Sequence, residues 1–279
     1  MPNGGIYNRP ALWNEIYFLG TIKGNWSYQM ELHYRRQGDA SWAPNGDHGN
    51  IAKNAYQHLY RPWLHWLPRK WLRLSISPAA YTAAWTPAAE TGVRYYQPEW
   101  RSSLQAMFIH QWGRVQWNHR FRYEYRWFGF REDNTGYSEF DYTEGNDFPM
   151  YSEQAVNGTH ALQKERMRYM LRAVIPLGHH TKLDPGTWYL ITWDELYTAF
   201  GANVSQDEWL DQNRFFFLLG YKLPWEFPIR LEAGYGSRTV PHISFKNGVE
   251  TYRSYEQNNI VQFYIWFENF NALFKRKEK

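Results

Sequence analysis

The chain has 279 residues, a formal charge of +4 and no cysteine. Without cysteine there is no disulfide frame, no thiolate nucleophile and no Cys-ligated metal site. Basic and acidic residues, 31 against 27, are interspersed along the sequence, which argues against a nucleic-acid binder with one basic face.

In chain order, apolar and polar residues alternate with a period of two, and helical periodicity is nearly absent. The alternation predicts strands over 13–23, 26–37, 55–67, 71–85, 99–112, 115–128, 165–177, 188–200, 212–223, 228–238 and 256–268. Most are longer than the five or six residues common in soluble sheets. They match the nine to eleven that a tilted strand needs to cross a bilayer. Short links at 24–25, 68–70, 113–114, 178–187 and 224–227 alternate with longer ones at 38–54, 86–98, 129–164, 201–211 and 239–255. Outer-membrane barrels sort their turns and loops to opposite ends in this way. Eleven strands conflict with the even number of bacterial single-chain barrels, so a twelfth is expected around 3–10. The expected fold is all-β: a transmembrane, antiparallel, up-and-down β-barrel of about 12 strands. It forms a single domain, 1–279, with a short basic tail at 271–279.

The stretch 115–128, "VQWNHRFRYEYRWF", shows the two faces. Val115, Trp117, His119, Phe121, Tyr123, Tyr125 and Trp127 share one; Gln116, Asn118, Arg120, Arg122, Glu124, Arg126 and Phe128 share the other. In the same way Met167, Tyr169, Leu171, Ala173 and Ile175 oppose Arg166, Arg168 and Arg172, and Phe215, Phe217, Leu219 and Tyr221 oppose Arg214. A half-buried soluble sheet also alternates, and an aromatic-rich, sugar-binding sandwich is the alternative fold. Two features favour the barrel. Aromatic residues gather at strand ends, at Trp13, Trp26, Trp71, Trp85, Trp100, Trp112, Trp127 and Trp188. In membrane barrels such residues form interfacial girdles. The polar faces favour Arg and Glu, whose fork and carboxylate pair well in a confined interior. Arg120, Arg122, Arg126, Arg166, Arg168, Arg172 and Arg214 are therefore expected to line a lumen. Glu99, Glu124, Glu195 and Glu232 would be their countercharges.

No GxGxxG, P-loop, GxSxG or HExxH motif is present. No catalytic residue, metal ligand or cofactor is assigned. His110 and His119 fall on the apolar faces of neighbouring strands, but Ser102 and Ser103 are remote from them. The adjacent His179 and His180 are expected on a turn. Between residues 132 and 153 lie Glu132, Asp133, Glu139, Asp141, Glu144, Asp147 and Glu153 without a basic residue; a solvated loop is expected there rather than a calcium site. Residues 1–13 lack the apolar core of a secretion signal. The expected form is a mature outer-membrane chain whose signal is absent from this sequence.

The segments "LYRPWLHW", "EWRSSLQAMFIHQWG", "RFRYEYRW", "RMRYMLRAVIPL", "TWDELYTAF" and "DQNRFFFLLGYKL" follow one another in this order. Across roughly 13–267 this succession resembles the DUF2490 family of bacterial proteins, frequent in the Bacteroidota. The resemblance implies an outer-membrane barrel of unknown function and carries no catalytic motif. The expected function is a barrel with a polar, plugged lumen serving as an accessory subunit of a larger outer-membrane assembly. Its partners would be lipid and other outer-membrane proteins, not nucleic acid. The alternatives are a small anion-selective, porin-like channel and a lipid-modifying barrel enzyme.

Overall fold

A computed structural model describes residues 5–39, 49–87, 94–128, 162–201, 209–225, 227–246 and 249–273. Among them eleven strands form one closed barrel: β1 (Ile6–Lys23), β2 (Trp26–Gln37), β3 (Asn54–Arg69), β4 (Leu72–Pro87), β5 (Arg94–Trp112), β6 (Val115–Phe128), β7 (Leu162–Pro176), β8 (Trp188–Phe200), β9 (Leu210–Lys222), β10 (Ile229–Lys246) and β11 (Val249–Phe267). Successive strands pair antiparallel, and β1 closes the ring by pairing parallel with β11, from Ile6 opposite Tyr255 to Phe18 opposite Phe267.

Eleven strands replace the expected twelve. Residues 6–10 are not a separate strand but the first part of β1. Parity sets the closure: in an up-and-down ring with an odd number of strands, the first and last run the same way. Two expected loops also shrink. The β4–β5 ladder continues to Pro87 opposite Arg94, and the β10–β11 ladder to Lys246 opposite Val249. These extensions lack a regular apolar–polar alternation, so the sequence hid them; backbone pairing continues beyond the two-faced band. Residues 271–273 of the expected tail belong to a regular element. Phe270–Leu273 form a short 3-10 helix on the barrel wall. Asn271 accepts a hydrogen bond from the Tyr28 hydroxyl at 2.6 Å and donates to the carbonyl of Thr21.

The tight links use glycine where the backbone needs a positive φ: Gly24 at 55° between β1 and β2, and Gly113 at 57° between β5 and β6. One seam is irregular. Between the pairs Tyr60–Tyr81 and Leu64–Ile76, three residues of β3 face four of β4. Pro62 and Pro78, which have no N–H to give the ladder, sit in this gap. Ser102 on β5 donates to the Pro78 carbonyl at 2.5 Å.

Strand alternation gives the barrel two surfaces. Outward point Trp26, Trp100, Phe121, Phe215, Phe217 and Leu231, all well exposed. Inward point most of the buried charges. The interior is nevertheless not uniformly polar. Trp13, Tyr17, Trp193, Phe216, Leu218, Ile260 and Tyr264 form an apolar cluster inside it. Glycine makes this possible on β10. A Cβ on Gly234 would lie 2.2 Å from the Phe217 carbonyl oxygen, and one on Gly236 would lie 2.3 Å from the Phe216 ring. Their absence lets Leu218 and Phe216 lie flat against the wall.

Gly234→Ala and Gly236→Ala should each destabilise the barrel by about 1–3 kcal/mol through overpacking. The urea midpoint of the refolded protein would fall accordingly. Unchanged midpoints in both variants would show that the close approach of β9 to β10 is not required.

Candidate functional site: the barrel interior

The sequence places Arg, Glu and Gln at most alternate positions of β2, β5, β6 and β7, and the barrel turns those positions inward. Glu124 on β6 is fully buried, and five arginines surround it. Arg166 and Arg168 on β7 contact its oxygens at 2.6 and 2.7 Å. Arg101 on β5 stands at 3.5 Å, with Arg61 on β3 and Arg122 on β6 at 3.7 Å. Guanidinium groups suit this arrangement because each carries several donors in one plane and can serve two acceptors. Arg168 shows it: Nη1 binds Glu124 while Nε and Nη2 hold Glu195, each at 2.9 Å.

Satellite pairs extend the network. Glu195 also meets Arg120 at 2.5 Å and accepts from the Tyr197 hydroxyl at 2.7 Å. Glu99 holds Arg101 and Arg126, each at 2.7 Å. Glu232 accepts from Tyr189 at 2.9 Å, with Arg230 at 3.5 Å and Arg172 at 3.9 Å. Several carboxylates escaped the sequence reading, among them Glu31, Glu15 and Asp211, which binds Arg166 at 2.8 Å. Glu31 binds Arg61 at 2.6 Å, and Glu15 binds Arg35 at 2.6 Å. Both share His33. Only the closed ring shows which arginine each of them meets.

Some side chains reach across the interior. Trp13 on β1 lies 5.8 Å from Phe216 on β9, and Arg122 stacks over Trp63 on β3 at 4.6 Å. Arg238 on β10 donates to the Tyr56 hydroxyl on β3 at 3.0 Å. Between these crossings lies a cavity of about 640 Å³. Among the described residues, fourteen arginines and Lys164 line it, against seven glutamates and Asp211. Even with Glu124 counted, cations outnumber carboxylates by about six. Among the described residues, some arginines have only neutral partners. Arg73 points at the Met107 sulfur, and Arg214 lies over Trp13 and Tyr197 and reaches Gln212; Arg122 is held by Gln105, with Glu124 at 3.7 Å. The Nε groups of Arg73, Arg120 and Arg214 are buried without a hydrogen-bond partner.

All ten charged residues singled out in the sequence, Arg120, Arg122, Glu124, Arg126, Arg166, Arg168, Arg172, Glu195, Arg214 and Glu232, face this interior. Nine line the cavity and Glu124 lies behind them. Of the aromatic set, Trp26, Trp100, Trp112 and Trp188 are exposed on the outer surface and Trp127 is partly so. Trp13 is not a girdle residue: it is 2% exposed and lies inside, under the Arg35 guanidinium at 3.9 Å. Its place at a predicted strand start was misleading because β1 begins seven residues earlier.

The remaining candidates separate. His110 and His119 stack on the outer wall at 5.2 Å, and His119 shares a hydrogen bond with the Tyr169 hydroxyl at 2.9 Å. Ser102 is engaged with Pro78, and Ser103 is buried on the inner face. His179 and His180 are exposed in the β7–β8 link. The acidic segment 132–153 lies outside the described residues. The sequence reading missed Asp194, on the outer face of β8, which accepts a hydrogen bond from Asn213 at 2.8 Å. A carboxylate among Leu171, Phe215 and Leu196 is an exception to the apolar wall.

The chain matches the model of DUF2490, described as a protein of unknown function, over residues 11–250. It belongs to that family. No curated protein and no solved structure matches it.

Glu124→Gln would leave five arginines around a neutral amide. Removing one partner of a buried ion cluster costs about 3–5 kcal/mol. Urea unfolding of the refolded barrel should show a loss of that size. A loss below about 1 kcal/mol would mean the arginines are solvated and do not depend on Glu124.

Proposed function

We propose that this DUF2490 protein is a bacterial outer-membrane barrel whose interior binds small anions and passes them slowly, rather than a wide pore. One observation carries the proposal: a cavity of about 640 Å³ lined by a clear excess of arginine over carboxylate. In a confined, poorly hydrated space, surplus guanidinium charge favours an anionic guest and repels cations. The side chains that cross the interior favour binding and slow passage over free flow.

The outer surface supports the location. Aromatic and aliphatic side chains cover it, and a closed sheet satisfies its ladder hydrogen bonds within the ring, as a bilayer requires. The odd strand number departs from the even-numbered rule of bacterial single-chain barrels. In planar bilayers the refolded protein should give a small conductance whose reversal potential under a KCl gradient follows chloride. A cation-selective current would contradict the proposal.

Asp194 supports a second reading, the accessory subunit. A lipid-facing carboxylate is costly in a barrel wall, whereas one that meets another protein need not be. The long loops at 38–54, 129–164 and 201–211 lie largely outside the described residues. If lipid covers this wall, Asp194→Leu should stabilise the barrel by roughly 1–2 kcal/mol and leave its native mass unchanged. If a subunit covers it, the protein extracted from its own membrane should weigh more than one 33.6 kDa chain. Asp194→Leu should then return it to the mass of one chain.

A further inference from the structure

The cavity is not equally polar all round. One side carries the surplus cations and the other the apolar cluster. Arg73 on β4, Arg120 on β6 and Arg172 on β7 approach one another from three strands. The first two share a row of the sheet, on either side of Met107 on β5. Arg120 lies opposite Met170 in the β6–β7 register, and Arg172 is the next inward-facing residue of β7; a carboxylate on this side is Glu31. Glu31 is already held by Arg61, Trp63 and Gln29. Among the described residues Arg172 has one ion partner, Glu232, at 3.9 Å. Arg120 shares Glu195 with Arg168 through Nη2, but its buried Nε, like that of Arg73, has no acceptor among the described residues. Beside Arg73, His65 is 2% exposed; its Nδ1 meets Ser75 at 2.8 Å and its buried Nε2 has no partner. Three cations and several unspent donors therefore converge where no carboxylate is free.

The apolar side begins at the same place. Arg172 lies directly opposite Trp193 in the β7–β8 register. Trp193 stacks on Phe216 at 4.4 Å. Trp193, Met170, Leu218 and Tyr264 all line the cavity. A bare phosphate or chloride would use the cations and leave this surface wetted. Its volume is in the range of organic-ligand sites, which are mostly apolar with a few convergent polar groups.

We infer that the interior binds an amphipathic organic anion, with its acidic group between Arg73, Arg120 and Arg172 and its apolar, ring-bearing body against Trp193, Met170 and Leu218. This rests on the anion-binding reading above and adds the nature of the anion. The guanidinium groups supply the charge-assisted hydrogen bonds, and the aromatic side supplies the burial that a simple ion cannot use.

Equilibrium dialysis of the barrel in phosphatidylcholine nanodiscs tests it, with empty nanodiscs as the partition blank. The probes are 1-naphthyl phosphate, inorganic phosphate and 1-naphthol. Saturable binding of one naphthyl phosphate per barrel is expected, at least tenfold tighter than either other probe. Arg73→Gln and Arg172→Gln should each weaken it fivefold or more. Trp193→Ala should weaken naphthyl phosphate and spare inorganic phosphate. Equal affinity for both phosphates would overturn the amphipathic inference and leave the anion reading standing. Binding of naphthol as tight as that of its phosphate would overturn the role of the arginines. If neither phosphate binds, both readings fail. Should a variant not refold, judged by the absence of a gel shift on heating, the three probes on the unaltered protein decide alone.

Discussion

Everything inside this barrel depends on one constraint: an arginine turned away from solvent must find a negative or dipolar partner inside the ring. The ladder has already used the backbone groups, so the partners are side chains. Glu124 is the clearest solution. It lies behind the cavity surface, and Arg166 and Arg168 grip it while Arg61, Arg101 and Arg122 crowd round. One carboxylate thereby ties β3, β5, β6 and β7 together. Arg168 then carries the network on to Glu195 and β8. The same constraint is unmet at Arg73 and Arg214, whose partners are a thioether, an amide and aromatic faces. The arginines divide there: satisfied ones brace the wall, and in the anion-binding proposal the unsatisfied ones meet the guest.

The interior is also divided by chemistry around its circumference. Charged residues dominate from β2 through β7, and aromatic and aliphatic ones from β8 through β1. Gly234 and Gly236 permit the second half, since any Cβ there would collide with the β9 chain or the Phe216 ring. The barrel thus resembles a small-molecule pocket wrapped in a sheet more than a water-filled tube. Arg214 marks the border, stacked over Trp13 and Tyr197.

Much of this was legible in the sequence, because the period of two in "VQWNHRFRYEYRWF" needs only one contrast, apolar outside and charged inside. The reading failed where that contrast was missing. In "RFFFLLG" both faces are apolar, so alternation identified Phe215, Phe217 and Leu219 as one face but could not show that Phe216 and Leu218 form an inner apolar cluster. Trp13 was misplaced because its strand begins among residues of poor strand composition, "IYNRP". The ends of β4, β5, β10 and β11 were invisible for a related reason: pairing outlasts the two-faced band, and backbone hydrogen bonds leave little trace in side-chain pattern. Partner identity was never legible. Which glutamate meets which arginine follows from register and ring closure, and a slip of one residue would exchange inside and outside.

The two-sided wall is the claim on which all else stands, and β9 tests it most directly. The chain has no cysteine, so single cysteines placed at 214 through 219 would each be unique. A fluorophore on each, in liposomes made with lipids brominated along the acyl chain, reports contact with hydrocarbon. Quenching should alternate, strong at 215, 217 and 219 and weak at 214, 216 and 218. Uniform weak quenching, with all six sites reached by a water-soluble quencher, would mean that the aromatic face does not meet lipid, and the barrel would have to be understood without a membrane.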